Sequence, residues 1–173
     1  MAKPVTSRRW SNRNDLGDNA KETSINTLQA ILIDTLDLYN VTRQAHWNLK
    51  GSNFIGVHTM LEGFYNQLNE FTDLLAERIV LIGGVADGTS QTLASTTRLA
   101  PYQNDLLDSM AHLDALGERY AQVAKATRAG IDETDEAGDA DTADLLTEIS
   151  RAIDKDLWMI DAHLHGRETA QNK

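Results

Sequence analysis

The sequence predicts an all-α protein: four long amphipathic helices packed as one bundle, with a single long connection between the second and third. Three observations predict it. Apolar residues recur at steps of three and four over four separate stretches, and nowhere does a strand-like alternation compete. Only two prolines occur, Pro4 and Pro101, so the intervals between them are free to be helical. Two of the three connections are short. The third, from Gly83 to Gln103, is roughly twenty residues long, more than a plain loop of a compact domain uses.

The first helix is expected from Ser24, carried by Ile25, Leu28, Leu32, Thr35, Tyr39, Thr42 and His46, until Lys50-Gly51-Ser52-Asn53 ends it. The second starts at Asn53 or Phe54 and follows Val57, Leu61, Phe64, Leu68, Phe71, Leu75 and Ile82 to the stop at Gly83-Gly84. The third is expected over 104–128, with Leu106, Met110, Leu113, Leu116, Tyr120 and Val123 in register and Gly130 just beyond it. The fourth is expected over 139–165, with Leu146, Ile149, Ile153, Leu157, Ile160 and Leu164, closed by Gly166. Short turns make the first and last pairs antiparallel. The long crossover travels the length of the bundle, so the third helix runs parallel to the second, and part of it, Ser90 to Ser95, suits a short extra helix. The domain plan is a flexible polar tail over 1–22, the bundle over 23–168 and a short tail over 169–173.

Charge and composition narrow the function. The net charge is −10, but residues 1–14 carry Lys3, Arg8, Arg9 and Arg13 and no acid, which leaves −14 on the rest. Such a body repels nucleic acid and membrane surfaces but tolerates cations. No cysteine is present, which excludes disulfides and thiolate metal sites. No apolar run is long enough to span a membrane, and the first residues lack the apolar core of a signal peptide, so the expected address is the cytoplasm.

The second helix has another face. With His58 set at zero, Glu62 falls near 40°, Asp73 near 60° and Glu77 near 100°, away from the apolar stripe. These are two i,i+4 pairs, His58–Glu62 and Asp73–Glu77, each spaced to grip one ion. The pairs lie about 16 Å apart along the helix, too far to share an ion within one chain. A two-fold axis near the middle of the helix removes the difficulty. It sets His58–Glu62 of one subunit against Asp73–Glu77 of the other and gives two equivalent sites per dimer. His46, at the end of the first helix's inward stripe, is brought near His58 by the hairpin. The resulting set of two imidazoles and three carboxylates suits iron, manganese or zinc. Each fragment alone has a plainer reading: a core histidine, a helix-surface pair, a solvated acidic face. Their coincidence over 32 positions is what favours a metal site.

His46-Trp47-Asn48, Gly51, Asn53-Phe54, His58, Glu62 and Asp73-x-x-x-Glu77-Arg78 resemble the ferroxidase signature of the Dps family, the miniferritins of the ferritin-like superfamily. The likeness extends from about Ala20 to His165 and includes Gly83-Gly84, Arg119-Tyr120 and Asp141-Thr142-Ala143-Asp144. It implies a ferritin-like four-helix bundle, a hollow dodecamer built from two-fold dimers, and oxidation of Fe(II) at intersubunit sites, preferentially with hydrogen peroxide. It further implies storage of ferric mineral and protection against hydroxyl radicals, with zinc or manganese able to take the place of iron. One departure stands out: the family usually has aspartate where this chain has Glu62, a longer side chain that bears on whether a second metal is held.

Other residues carry secondary readings. Trp47 packs a helix end or serves as a gate or electron donor beside the iron. Asp141 and Asp144 are expected near a three-fold pore that admits iron, while the remaining acids of 132–139 are expected in solvent. His112, His163 and His165 read as surface or interface residues and Trp158 as packing. Lys3, Arg8, Arg9 and Arg13 offer weak, salt-sensitive DNA contacts that twelve copies would multiply. The alternative functions are therefore a nucleoid-associated DNA-compacting protein with a secondary metal site, and a helical oligomer whose site holds only zinc.

Overall fold

The computed structural model describes residues 10–171, with side chains described through residue 165. The chain forms α1 (Asp18–Asn48), α2 (Phe54–Leu81), a short α3 (Ser90–Thr96), α4 (Ser109–Glu136) and α5 (Ala140–Gln171). Among the described residues there is no strand and no helix long and apolar enough to cross a membrane.

Leu28, Leu38, Leu61, Leu68, Leu75, Leu113, Leu116, Ile149 and Ile153 are among the fully buried residues of a single core running through all four long helices. Each helix contributes the residues that recur at its inward period, which is why the helices form against one another rather than alone. Thr35 and Thr42 fit this apolar stripe because each hydroxyl bonds the carbonyl one turn earlier, Ile31 and Leu38.

Chain direction follows from two tie points. Lys50, in the α1–α2 turn, donates its N–H to Leu107 O and accepts from Ser109 N–H, so α4 starts at the end of the bundle where α2 starts. At the other end Arg78 of α2 bonds Asp139, which precedes α5. Helices α2 and α4 are thus parallel, and the crossover carrying α3 spans the bundle. α3 is capped by Thr89, whose hydroxyl accepts from Thr92 N–H.

Several boundaries differ from the sequence reading. α1 begins at Asp18 rather than Ser24. Residues 10–12 lie across the end of α2, with Trp10 N–H donating to Gly83 O and the Asn12 amide to Leu81 O. They occupy carbonyls that a helix C-terminus leaves open. α4 begins at Ser109, not residue 104, because Asp108 caps it by accepting from the N–H groups of Met110 and Ala111. It continues through Gly130, which is not a stop. A Cβ there would lie 2.8 Å from Ile31 Cδ1 and 2.9 Å from Thr27 Cγ2, so this glycine lets α4 approach α1 closely. The turn glycine is Gly138, with φ of +90°. α5 likewise runs past Gly166 to Gln171.

Candidate metal centre

The α1–α2 hairpin builds one half of the candidate centre. Gly51 takes a φ of +134°, which lets the chain reverse within five residues of His46. The hairpin brings His46 and His58 face to face, with ring centroids 3.7 Å apart and planes 21° from parallel. Their backbones lock the pair reciprocally: His46 Nδ1 bonds His58 O at 2.9 Å, and His58 Nδ1 bonds His46 O at 3.0 Å. A carbonyl only accepts, so both Nδ1 atoms carry the proton. That leaves Nε2 of each ring as the nitrogen outside this lock, the atom such a pair can offer to a metal. Phe54, one turn before His58, flanks that ring at 5.0 Å, and Tyr65 meets His46 edge-on at 5.2 Å. His46 is buried and His58 half-buried, and Glu62, one turn further along α2, is exposed.

The other half begins about three turns further along α2 on the same exposed face. Asp73 and Glu77 are both exposed. Asp73 borders a shallow groove of about 530 Å³ with Leu36, Asn69, Ala76 and Gly88, and Glu77 borders a second groove of about 400 Å³ with Ala76, Val80 and Ala86. Ile55 (70% exposed) and Val80 (41% exposed) bracket the carboxylates, so large aliphatic side chains and potential ligands share one uncovered helix face. Among the described residues no three His, Asp or Glu converge on a point within the chain. The structure brings His46 and His58 together and holds Asp73 and Glu77 apart from them.

The acidic segment before and within α5 divides. Asp141 and Asp144 are exposed, the Asp141 side chain at 88%, with Asp141 3.9 Å from Arg78. Asp139 is not solvated as its composition suggested: it is 1% exposed. Its carboxylate accepts from Arg78 Nη2 at 2.6 Å, from the Thr142 hydroxyl at 2.6 Å and from Thr142 N–H at 3.1 Å, while Arg78 Nε donates to the same hydroxyl. Burial opposes the charge, but these hydrogen bonds and the guanidinium outweigh it and hold the carboxyl below its usual range.

Trp47 is 62% exposed and lies against the Arg43 guanidinium at 5.0 Å. Trp158, expected to pack, is exposed instead. His112, expected at the surface or an interface, is buried within the chain and bonds Tyr102 at 2.6 Å; His163 is half-buried and His165 exposed. Arg13 is exposed, while Lys3, Arg8 and Arg9 lie outside the described residues. The sequence reading missed Tyr65 and Phe54 as neighbours of the histidines. Their spacing from His58, i+7 and i−4, was the available signal.

The ferritin-like domain family matches residues 25–169. A DNA protection during starvation protein of Agrobacterium fabrum is 50% identical over 152 residues, covering 88% of this chain and 94% of its own. The chain belongs to the Dps family of ferritin-like proteins. Two solved Dps structures share its shape. DpsC from Streptomyces coelicolor superposes with a TM-score of 0.87 at 26% identity, covering 90% of this chain and 91% of its own. DpsA14 from the same organism gives 0.85 at 32% identity, with coverage of 90% and 92%. The fold of this Dps protein is therefore the ferritin-like bundle with the long crossover.

Proposed function

We propose that this Dps protein binds Fe(II) at sites shared between two subunits, oxidises it with hydrogen peroxide and stores the ferric product inside a dodecameric shell. The observation that carries the reading is the reciprocally locked pair His46–His58 at one end of an exposed, carboxylate-bearing helix face. A two-fold axis near Gln67 lays α2 antiparallel on its mate. His46, His58 and Glu62 then face Asp73 and Glu77 of the second subunit, and Ile55 and Val80 are covered. Two nitrogen and three carboxylate donors leave room for water or peroxide and favour Fe(III) over Fe(II). Two Fe(II) ions reduce one peroxide to two waters, taking up two protons, without release of hydroxyl radical. Asp141 and Asp144 draw the cation toward a three-fold pore. Zinc or manganese fits the same donors, and the setting proposed is the cytoplasm.

Anaerobic Fe(II) followed by peroxide tests this directly. The reading expects ferric absorbance to rise in step with peroxide loss. Tight zinc binding with no iron turnover would reject it.

A second reading, DNA binding, is favoured by the +4 charge of residues 1–14 on an otherwise acidic chain. It expects retention of DNA at low salt that disappears when those residues are removed.

A further inference from the structure

A line of aromatic rings leads away from the histidine pair along the α1–α2 seam. His46 and His58 stack at 3.7 Å, Tyr65 meets His46 edge-on at 5.2 Å, and Tyr39 meets Tyr65 edge-on at 6.1 Å. Beyond it, the Arg43 guanidinium covers the Tyr39 ring at 4.7 Å and donates Nη1–H to its hydroxyl at 2.6 Å. Each ring centroid therefore lies within 6.1 Å of the next along the line. Arginine only donates, so the Tyr39 hydroxyl oxygen is the acceptor of this bond.

We infer that Tyr65 and Tyr39 form a redox relay that supplies the second electron when peroxide meets a site holding a single Fe(II). The inference rests on the ferroxidase reading and deepens it. Peroxide needs two electrons and two protons to become two waters, and one Fe(II) gives only one electron. In the proposed step the O–O bond breaks, Fe(II) becomes Fe(III), and a tyrosine gives the other electron and its phenolic proton. Solvent supplies the second proton, and the tyrosine is left as a neutral tyrosyl radical. A later Fe(II) reduces that radical, with uptake of one proton, and restores the phenol. The relay makes two-electron reduction independent of filling a second metal position, which the longer Glu62 leaves in question.

The other two tyrosines serve as internal controls. Tyr120 is sealed in the core and bonded to Thr42, and Tyr102 is bonded to His112, both off this line. Tyr65→Phe and Tyr39→Phe keep the ring contacts and remove only the oxidisable phenol. The test is freeze-quench electron paramagnetic resonance on the assembled protein, given one Fe(II) per site without oxygen and then peroxide. Ferric absorbance and a hydroxyl-radical spin trap are read on the same samples. Wild type should show a tyrosyl signal that disappears when more Fe(II) is added. The Tyr39→Phe, Tyr65→Phe double variant should lose that signal and yield trapped hydroxyl radical while still binding Fe(II). Wild type that oxidises iron without any tyrosyl signal overturns the relay and leaves the ferroxidase reading standing, as does a double variant with the wild-type signal. Wild type that oxidises no iron overturns both.

Discussion

The guanidinium of Arg78 reaches Asp139, 61 residues away in sequence, and bonds it at 2.6 Å, fastening the end of α2 to the start of α5. Arg78 adjoins Glu77 of the proposed centre, and Asp139 lies two residues before Asp141 of the proposed pore. Removing the cation strands a buried carboxylate. Arg78→Ala should therefore cost about 3 kcal/mol of stability. Thermal melts at fixed protomer concentration check this. Asp139 also sets an acid limit. Its carboxyl is held below the ordinary value of 3.8, so its stabilisation is present above that pH and lost as pH falls through the lower folded value. Asp139→Asn should flatten that acid limb.

Asp156 gives the opposite dependence. It is buried on the inward stripe of α5, and burial pushes its carboxyl up to about 7, with Lys155 pulling weakly the other way. An unfolded chain ionises it near 3.8, so the folded state is favoured below that pH and loses stability as pH rises through about 7. The loss is on the order of a few kcal/mol per subunit. Wild-type melting temperature should fall from about pH 5 to about pH 8. Asp156→Asn should remove the fall and melt higher than wild type at the alkaline end. An unchanged slope in the variant would show that Asp156 is not its source.

His46→Ala combined with His58→Ala should slow iron oxidation by about tenfold or more, on the scale of losses seen when metal-site shells are disturbed. Assembly should survive, because the apolar core does not depend on the two rings. Stopped-flow ferric absorbance and size-exclusion chromatography separate the two effects. An unchanged rate would count against the histidines as ligands.

Asp141→Asn with Asp144→Asn should slow iron loading by about tenfold at low ionic strength, and by less as salt is added. Neither side chain is buried, so the assembled mass should not change. Loading curves that superpose on wild type at low salt would remove these residues from any route for iron.

The helices were legible because each buried face repeats every three to four residues, and the α2 face was legible because its polar residues obey the same period. What escaped was set by partners distant in the chain. Gly130 reads as a helix end in sequence, yet it marks where α4 touches Ile31 and Thr27 of α1. Asp139 reads as one of many solvated acids, and only the fold delivers Arg78 to it. Trp158 reads as a packing residue, and the bundle leaves it on the outside. The nearness of His46 and His58 followed from the hairpin. Their locking did not, because backbone carbonyls leave no trace in a sequence.

The central claim, that each iron cradle is completed by a second subunit, is tested most directly by anomalous scattering from a crystal soaked with Fe(II). The account predicts iron density bounded by His46, His58 and Glu62 of one subunit and by Asp73 and Glu77 of its two-fold mate. Iron coordinated wholly within one chain, or absent from the junction of paired α2 helices, would contradict it.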